Sequence, residues 1–153
     1  MNFRIAQPDQ AEEITALVNR AFLVEKFFIE EDRINLERVH HCFETGRFLV
    51  AEDEAGLAGC VYIKPQGERA YFGMLSVDPS RQGAGLGKQI VGAVEDYCRE
   101  IGCRFIDLHI VNLRTELPPF YKKLGYIETG TEPFPADTET KVPCHLIVLS
   151  KSL

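Results

Sequence analysis

Met74-Leu75-Ser76-Val77-Asp78-Pro79-Ser80-Arg81-Gln82-Gly83-Ala84-Gly85-Leu86-Gly87-Lys88 is the stretch whose reading decides the fold. Leu75 and Val77 read as the end of a strand, which Pro79 cannot continue because it has no N–H for a ladder. Gly83, Gly85 and Gly87 then leave alternate main-chain positions unshielded by any side chain. Leu86, Ile90, Val91, Val94, Tyr97, Cys98 and Ile101 recur at three- and four-residue steps, so the loop runs directly into an amphipathic helix. Unpaired N–H groups and the positive end of the helix dipole meet at one place, which suits a phosphate.

Several glycine loops share this physics, and the residues discriminate between them. A P-loop needs glycine where Gln82 stands and Ser or Thr where Gln89 stands. A dinucleotide fingerprint counted from Gly83 needs its third glycine at Lys88, and no acidic residue on a second parallel strand is placed to hold a ribose. What remains is Gln82-Gly83-Ala84-Gly85-Leu86-Gly87. A second motif follows at Pro118-Pro119-Phe120-Tyr121-Lys122-Lys123-Leu124-Gly125-Tyr126. Its prolines fit only the first turn of a helix, Leu117, Phe120, Tyr121 and Leu124 make an apolar face, and Gly125 ends it.

The two motifs, in this order, resemble the GCN5-related N-acetyltransferase (GNAT) superfamily, with its Gln/Arg-x-x-Gly-x-Gly/Ala loop and its Phe-Tyr-x-Lys-x-Gly-Phe/Tyr signature. They cover about the central half of the chain, residues 59 to 126. The chain departs from the family pattern at one point. Leu113 to Pro119 lengthens the link between Asn112 and Tyr121, and Pro118-Pro119 replaces an alanine-bearing region.

The 153 residues fit one domain, residues 1–153, long enough to bury a core without disulfides or metal. Hydrophobic residues make up 45% and charged ones 26%, the balance of a folded globular protein. A net charge of −6 without clustered Lys and Arg argues against nucleic acid as a partner. The acidity serves solubility or suits a cationic substrate. Cys42, Cys60, Cys98, Cys103 and Cys144 include no Cys-x-x-Cys pair, so buried reduced thiols are expected rather than a disulfide framework or a zinc site. Neither a signal peptide nor an apolar run long enough for a membrane span is legible, which gives a cytoplasmic expectation with no membrane partner.

From the start, Phe3–Ala6 reads as a strand. Asp9 with Glu12 reads as a capping box for a helix whose face is Ile14, Leu17, Val18, Ala21 and Phe22. Phe27, Phe28 and Ile29 either line an acceptor pocket or form a turn tucked into the core. Leu36, Val39 and Phe43 mark a second helix ending near Gly46, and His40 and His41 on it read as surface residues. Strands at 47–53, 57–64 and 70–77 form an antiparallel meander, in which Gly73 suggests a bulge or a close backbone approach. Gly102 closes the long helix, and strand 104–111 should run parallel to 70–77 because a helix joins them. Strands at 126–130 and 144–151 flank a long loop from Thr131 to Pro143, read as a substrate lid or a surface excursion. The order β-α-α-β-β-β-α-β-α-β-β is that of an α/β (α+β) domain with a mixed, mostly antiparallel sheet of about seven strands flanked by about four helices.

The resemblance implies acetyl-CoA as co-substrate, no metal, and transfer of its acetyl group in a ternary complex to a small-molecule amine or a peptide amino group. It implies that strand 70–77 splays from strand 104–111, leaving the main chain of Leu75 and Val77 for the pantetheine arm. It implies that Gln82, Gly83, Ala84, Gly85, Leu86, Gly87 and Lys88 hold the pyrophosphate, that Asn112 contacts the cofactor, and that Tyr121 binds the sulfur and protonates the departing thiolate. Arg81, Lys88, Lys122 and Arg114 are candidates for the 3′-phosphate. An acceptor ammonium must lose a proton before it attacks. His109, with a near-neutral intrinsic pKa, suits that task, while Glu68, Tyr71, Glu116, Glu132 and ordered water are alternatives. A non-catalytic acetyl-CoA sensor and a transferase for longer acyl groups are the competing functions. A homodimer is compatible with the sequence.

Overall fold

The computed structural model describes residues 1–153. Strands β1 (Asn2–Ile5), β2 (Arg47–Asp53), β3 (Gly56–Gln66), β4 (Arg69–Val77), β5 (Phe105–Val111), β6 (Ile127–Pro133) and β7 (His145–Ser152) form one sheet in the order β1-β2-β3-β4-β5-β7-β6. Helices α1 (Ala11–Ala21), α2 (Leu36–Thr45), α3 (Leu86–Glu100) and α4 (Leu117–Lys123) complete it. All neighbouring strands are antiparallel except β4 and β5, whose connection through α3 makes them parallel. The α/β class, the mixed sheet and the element order are those expected from the sequence.

The helices lie on opposite faces of the sheet. Ile14, Leu17 and Val18 of α1 and Val39 of α2 pack with Phe48, Val50, Cys60 and Tyr62. Leu86, Ile90, Val91, Val94 and Cys98 of α3, with Tyr121 of α4, pack on Ile63, Phe72, Ile106 and Leu108. Strand alternation sends successive side chains to these two cores. Ile106, Leu108 and Ile110 thus face α3, while Asp107 and His109 face the other way.

Local details differ from the expectation where neighbours decide them. Helix α1 begins at Ala11 after a 3₁₀ turn, and Gln10 Oε1, not a carboxylate, accepts a hydrogen bond from the Gln7 N–H at 3.4 Å. Ile101 lies past the last buried turn of α3 and is exposed. Glu95 is buried on that helix instead, because the Tyr126 hydroxyl donates to it at 2.9 Å and Lys151 Nζ at 3.0 Å. Strand β6 starts one residue later and runs three further than expected, as β7 inserts between it and β5 and extends the ladder to Pro133↔His145.

The irregularity expected at Gly73 falls on its neighbour. Tyr62 pairs with Gly73 and Cys60 with Ser76, so Met74 and Leu75 together face Val61. Met74 takes φ 55°, a region a residue with a side chain rarely occupies. The extra residue shifts the alternation by one. Ala70 and Phe72 before the bulge and Leu75 and Val77 after it all pack on the α3 side, while Met74 packs on the α1 side.

Phe72 is the hub of the α3 face, with its ring 6.1 Å from that of Tyr121 and 6.2 Å from that of Tyr126. Phe72→Ala is expected to lower unfolding free energy by about 3–5 kcal/mol, read from urea denaturation.

Candidate active site

Parallel pairing of β4 with β5 runs from Arg69↔Phe105 to Phe72↔Leu108 and stops there. Beyond the bulge the strands part, and the edges of Gly73–Val77 and His109–Val111 that face each other have no strand partner. The gap is the middle of a cavity of about 710 Å³ that passes through the sheet. On the α3 face it is lined by Gln82, Gly83, Gly85, Leu86, Gly87, Lys88, Phe120 and Tyr121. On the α1 face it is lined by Phe22, Arg33, Arg38, Tyr71 and His109, with Phe134 and Thr138 from the loop before β7.

The glycine loop is built to face a ligand. Gly83 and Gly85 have φ of 90° and 78°, and a Cβ at either would meet nothing within 4 Å, so it is backbone conformation and not crowding that calls for glycine. Gly85 caps α3 without a side chain, and no acidic residue sits in the first turn. The N–H groups of Leu86, Gly87 and Lys88 have no main-chain acceptor, the first helical bond being Gln89 to Gly85 at 3.2 Å. Asp78 steers the chain into this loop. Its Oδ1 accepts from the Ser80 N–H at 3.0 Å and its Oδ2 from Arg20 at 2.8 Å.

Tyr121 sits at the bottom of the wedge between the rings of Phe120 at 5.0 Å, Tyr126 at 5.8 Å and Phe72 at 6.1 Å. It is 4% exposed, yet its hydroxyl has no protein partner and is not sealed from the cavity. Burial pushes the phenol pKa well above its ordinary value, so the group is a proton donor at neutral pH. His109 stands on the other side, its ring 5.2 Å from that of Tyr71 and its Nε2 3.7 Å from Glu132 on β6.

The remaining expected residues separate by what they already hold. Leu75 and Val77 line the cavity, and Val77 O accepts from the Gln82 amide at 3.4 Å. Ala84 and Asn112 are not among the lining residues. Asn112 is engaged with His145, whose N–H donates to Asn112 Oδ1 at 2.8 Å while Asn112 N–H donates to His145 O at 3.0 Å. Arg81 pairs with Asp53, Lys122 with Glu128 and Arg114 with Glu25 and Glu116. Lys88 makes no ion pair and lies on the cavity wall. Among the alternative bases, Tyr71, Glu116 and Glu132 lie at or beside the cavity, whereas Glu68 lies in the β3–β4 turn near Arg104.

The two loops without a readable pattern form the outer wall. Phe28 is fully buried, as the core-turn reading expects, Ile29 lines the cavity and Phe27 is exposed. The loop before β7 is tied to it by Lys141, whose N–H donates to Phe28 O at 2.8 Å and whose Nζ pairs with Glu30 at 2.7 Å. Sequence reasoning missed Glu25 and Arg33. Burial raises the Glu25 pKa against the opposing pull of Arg114, and no local spacing signals a pair 89 residues apart.

A family model described as the Acetyltransferase (GNAT) family matches residues 11–126, which spans both motifs and the wedge. The chain belongs to the GNAT acetyltransferase family. Mycothiol acetyltransferase of Propionibacterium freudenreichii subsp. shermanii is 32% identical to this GNAT chain over 95 residues, covering 59% of it and 30% of the relative. Glucosamine 6-phosphate N-acetyltransferase 1 of Oryza sativa subsp. japonica is 32% identical over 93 residues, covering 55% and 54%. The GNAT chain thus spans about half or less of the length of these curated relatives. Its fold matches that of ribosomal-protein-alanine N-acetyltransferase from Brucella melitensis with a TM-score of 0.81 at 18% identity, over 100% of both chains. It also matches yncA of Salmonella typhimurium, whose structure was solved with its cofactor acetyl-CoA, with a TM-score of 0.78 at 20% identity, over 100% of this chain and 94% of that one. No helix of this GNAT chain is long and apolar enough to cross a membrane.

Asp78 gives this GNAT chain an acid-sensitive entry to its loop. The Ser80 N–H and hydroxyl, then Arg20, lower its folded pKa from 3.8 to about 2. Its contribution to stability is therefore complete above the unfolded pKa and is lost as pH falls through about 4 toward about 2. Asp78→Ala should be less stable than wild type at neutral pH, and the gap in urea unfolding free energy should close as pH is lowered across that window.

Proposed function

We propose that the chain is an acetyl-CoA-dependent N-acetyltransferase that acts on a primary amine of a small molecule or peptide by direct transfer. The observation that carries this reading is the wedge itself. Donors without acceptors and an unpartnered phenol occupy one face of the gap, and His109 with an open pocket occupies the other. The residues fit an elongated anionic thioester: Leu86, Gly87 and Lys88 N–H groups for the diphosphate, Gly83 and Gly85 for close backbone approach, and the free β4 edge at Leu75 and Val77 for the pantetheine amides. Lys88 is the cation best placed for a CoA phosphate, because Arg81, Lys122 and Arg114 are already paired.

Acetyl-CoA supplies an acyl group activated as a thioester. The chain's own residues supply positioning and proton movement. A free N–H on the parted β4 edge donates to the thioester carbonyl as negative charge grows on its oxygen. His109 accepts the proton that the acceptor ammonium must lose, and Glu132 steadies the charged imidazole. The Tyr121 hydroxyl holds the sulfur and gives its proton to the leaving thiolate, a role suited to a phenol that burial keeps protonated. Tyr71, whose pKa burial also raises, acts as a wall and not as a base.

Tyr121→Phe tests this. Because the hydroxyl has no protein partner, unfolding free energy should stay within about 0.5 kcal/mol of wild type. Acetyl-CoA affinity should hold within a few-fold, while amine-dependent release of free thiol across a panel of amines drops by about 100-fold or more. Equal turnover in the variant would remove Tyr121 from the mechanism. A wild-type protein that binds acetyl-CoA and releases no thiol, whichever amine is supplied, would be a sensor, and a preference for longer acyl-CoAs would reassign the donor.

A further inference from the structure

The cavity on the α1 face carries cations that the protein does not neutralise. Of its charged lining residues, Glu25 and Glu116 pair with Arg114 at 2.9 Å, and Asp32 pairs with Lys26 at 3.0 Å. The remaining carboxylates, Glu31 and Asp137, are exposed, and neither lies within ion-pair distance of an arginine. Arg33 and Arg38 also line the cavity, and neither guanidinium has an ion-pair or hydrogen-bond partner.

Arg33 is held in place in spite of that. The Asn19 amide clamps the next residue, donating from Nδ2 to Ile34 O at 2.9 Å and accepting from Ile34 N–H at 3.0 Å. The guanidinium carbon lies 5.2 Å from the centre of the Phe22 ring, a cation–π contact that leaves its N–H donors without a protein acceptor. Asn35 caps α2 by accepting from the Arg38 N–H at 2.9 Å, which fixes the backbone from which the second, exposed cation projects. Arg33 is exposed as a residue; desolvation by the protein atoms around its guanidinium lowers its pKa, and Glu25 and Tyr71 oppose that shift. Arg33 keeps an exposed surface on the cavity wall, and a guanidinium set against an aromatic ring with no carboxylate partner is a receptor for one.

We infer that Arg33 binds an oxyanion on the acetyl acceptor, so that the substrate is a small primary amine bearing a carboxylate or phosphate group. The inference rests on the N-acetyltransferase reading. Its amine would lie toward His109 and the wedge and its oxyanion toward Arg33, with Arg38 adding to the field.

The test compares kcat/KM for matched pairs: amino acids against their carboxamides, and phosphoethanolamine against ethanolamine. Binding of the same compounds to the coenzyme A complex is measured by calorimetry. Wild type should favour the oxyanion member of at least one pair by about 10- to 100-fold, the worth of a charge-assisted bidentate contact, and the pair that shows it identifies carboxylate or phosphate. Arg33→Gln should bring that ratio toward one, and Arg33→Lys should keep part of it; coenzyme A binding reports that both variants are folded. Equal use of both members by wild type, or a ratio unmoved in Arg33→Gln, overturns the inference and leaves N-acetyl transfer standing. Arg33-dependent binding of the oxyanion amine without thiol release keeps the oxyanion site and overturns the transferase reading. Neither binding nor release with any oxyanion amine overturns the site.

Discussion

The parting of β4 from β5 is the constraint on which the rest depends. Two parallel strands joined by a helix normally pair along their length, because every unpaired main-chain group costs a hydrogen bond. Here the ladder ends at Phe72↔Leu108, immediately before the bulge at Met74. The bulge bends the strand and resets its alternation, so Leu75 and Val77 line the same face as Phe72 while Met74 fills the opposite core. The strain of Met74 at φ 55° is held by the packing of its side chain on the α1 side. What it creates is a slot with main-chain donors and acceptors on its walls.

That slot joins two faces of the sheet that the core otherwise keeps apart, and each face contributes a different chemistry. The α3 side is polar in its backbone and poor in side chains, with glycines, uncapped helical N–H groups and Lys88 converging where a phosphate would lie. The α1 side is rich in side chains, with His109, Tyr71, Arg33 and Arg38 beneath a roof formed by the loop before β7. Tyr121 is placed where the two meet by an aromatic nest of Phe72, Phe120 and Tyr126. The cavity is thus lined from both faces of the sheet, an arrangement that suits the proposed direct transfer.

Much of this frame was legible because its causes are local. The Gly83 and Gly85 positions, the prolines at the start of α4 and the apolar face of α3 each follow from backbone freedom or from helical period within a few residues. The parallel direction of β5 follows from a helical connection. The bulge was legible only to within one residue. Gly73 draws attention as the flexible position, yet the pairing of Tyr62 and Cys60 with Gly73 and Ser76 assigns the strained conformation to Met74. The buried Glu95 was not legible, since its partners Tyr126 and Lys151 come from two later elements.

The sequence by itself determined the order of elements, the family, the glycine-rich entry into α3 and the aromatic helix that carries Tyr121, because each is written in residues adjacent along the chain or along one helix face. Tertiary structure decided which polar and charged groups are free. Arg114 is consumed by Glu25 from the far end of the chain, Arg81 by Asp53 and Asn112 by His145, while Lys88 and Arg33 are left without partners. It also decided that β7 lies between β5 and β6, and so that Glu132 stands beside His109. Such pairings depend on distances across the fold, and a contact between segments remote in sequence leaves no periodicity to be read.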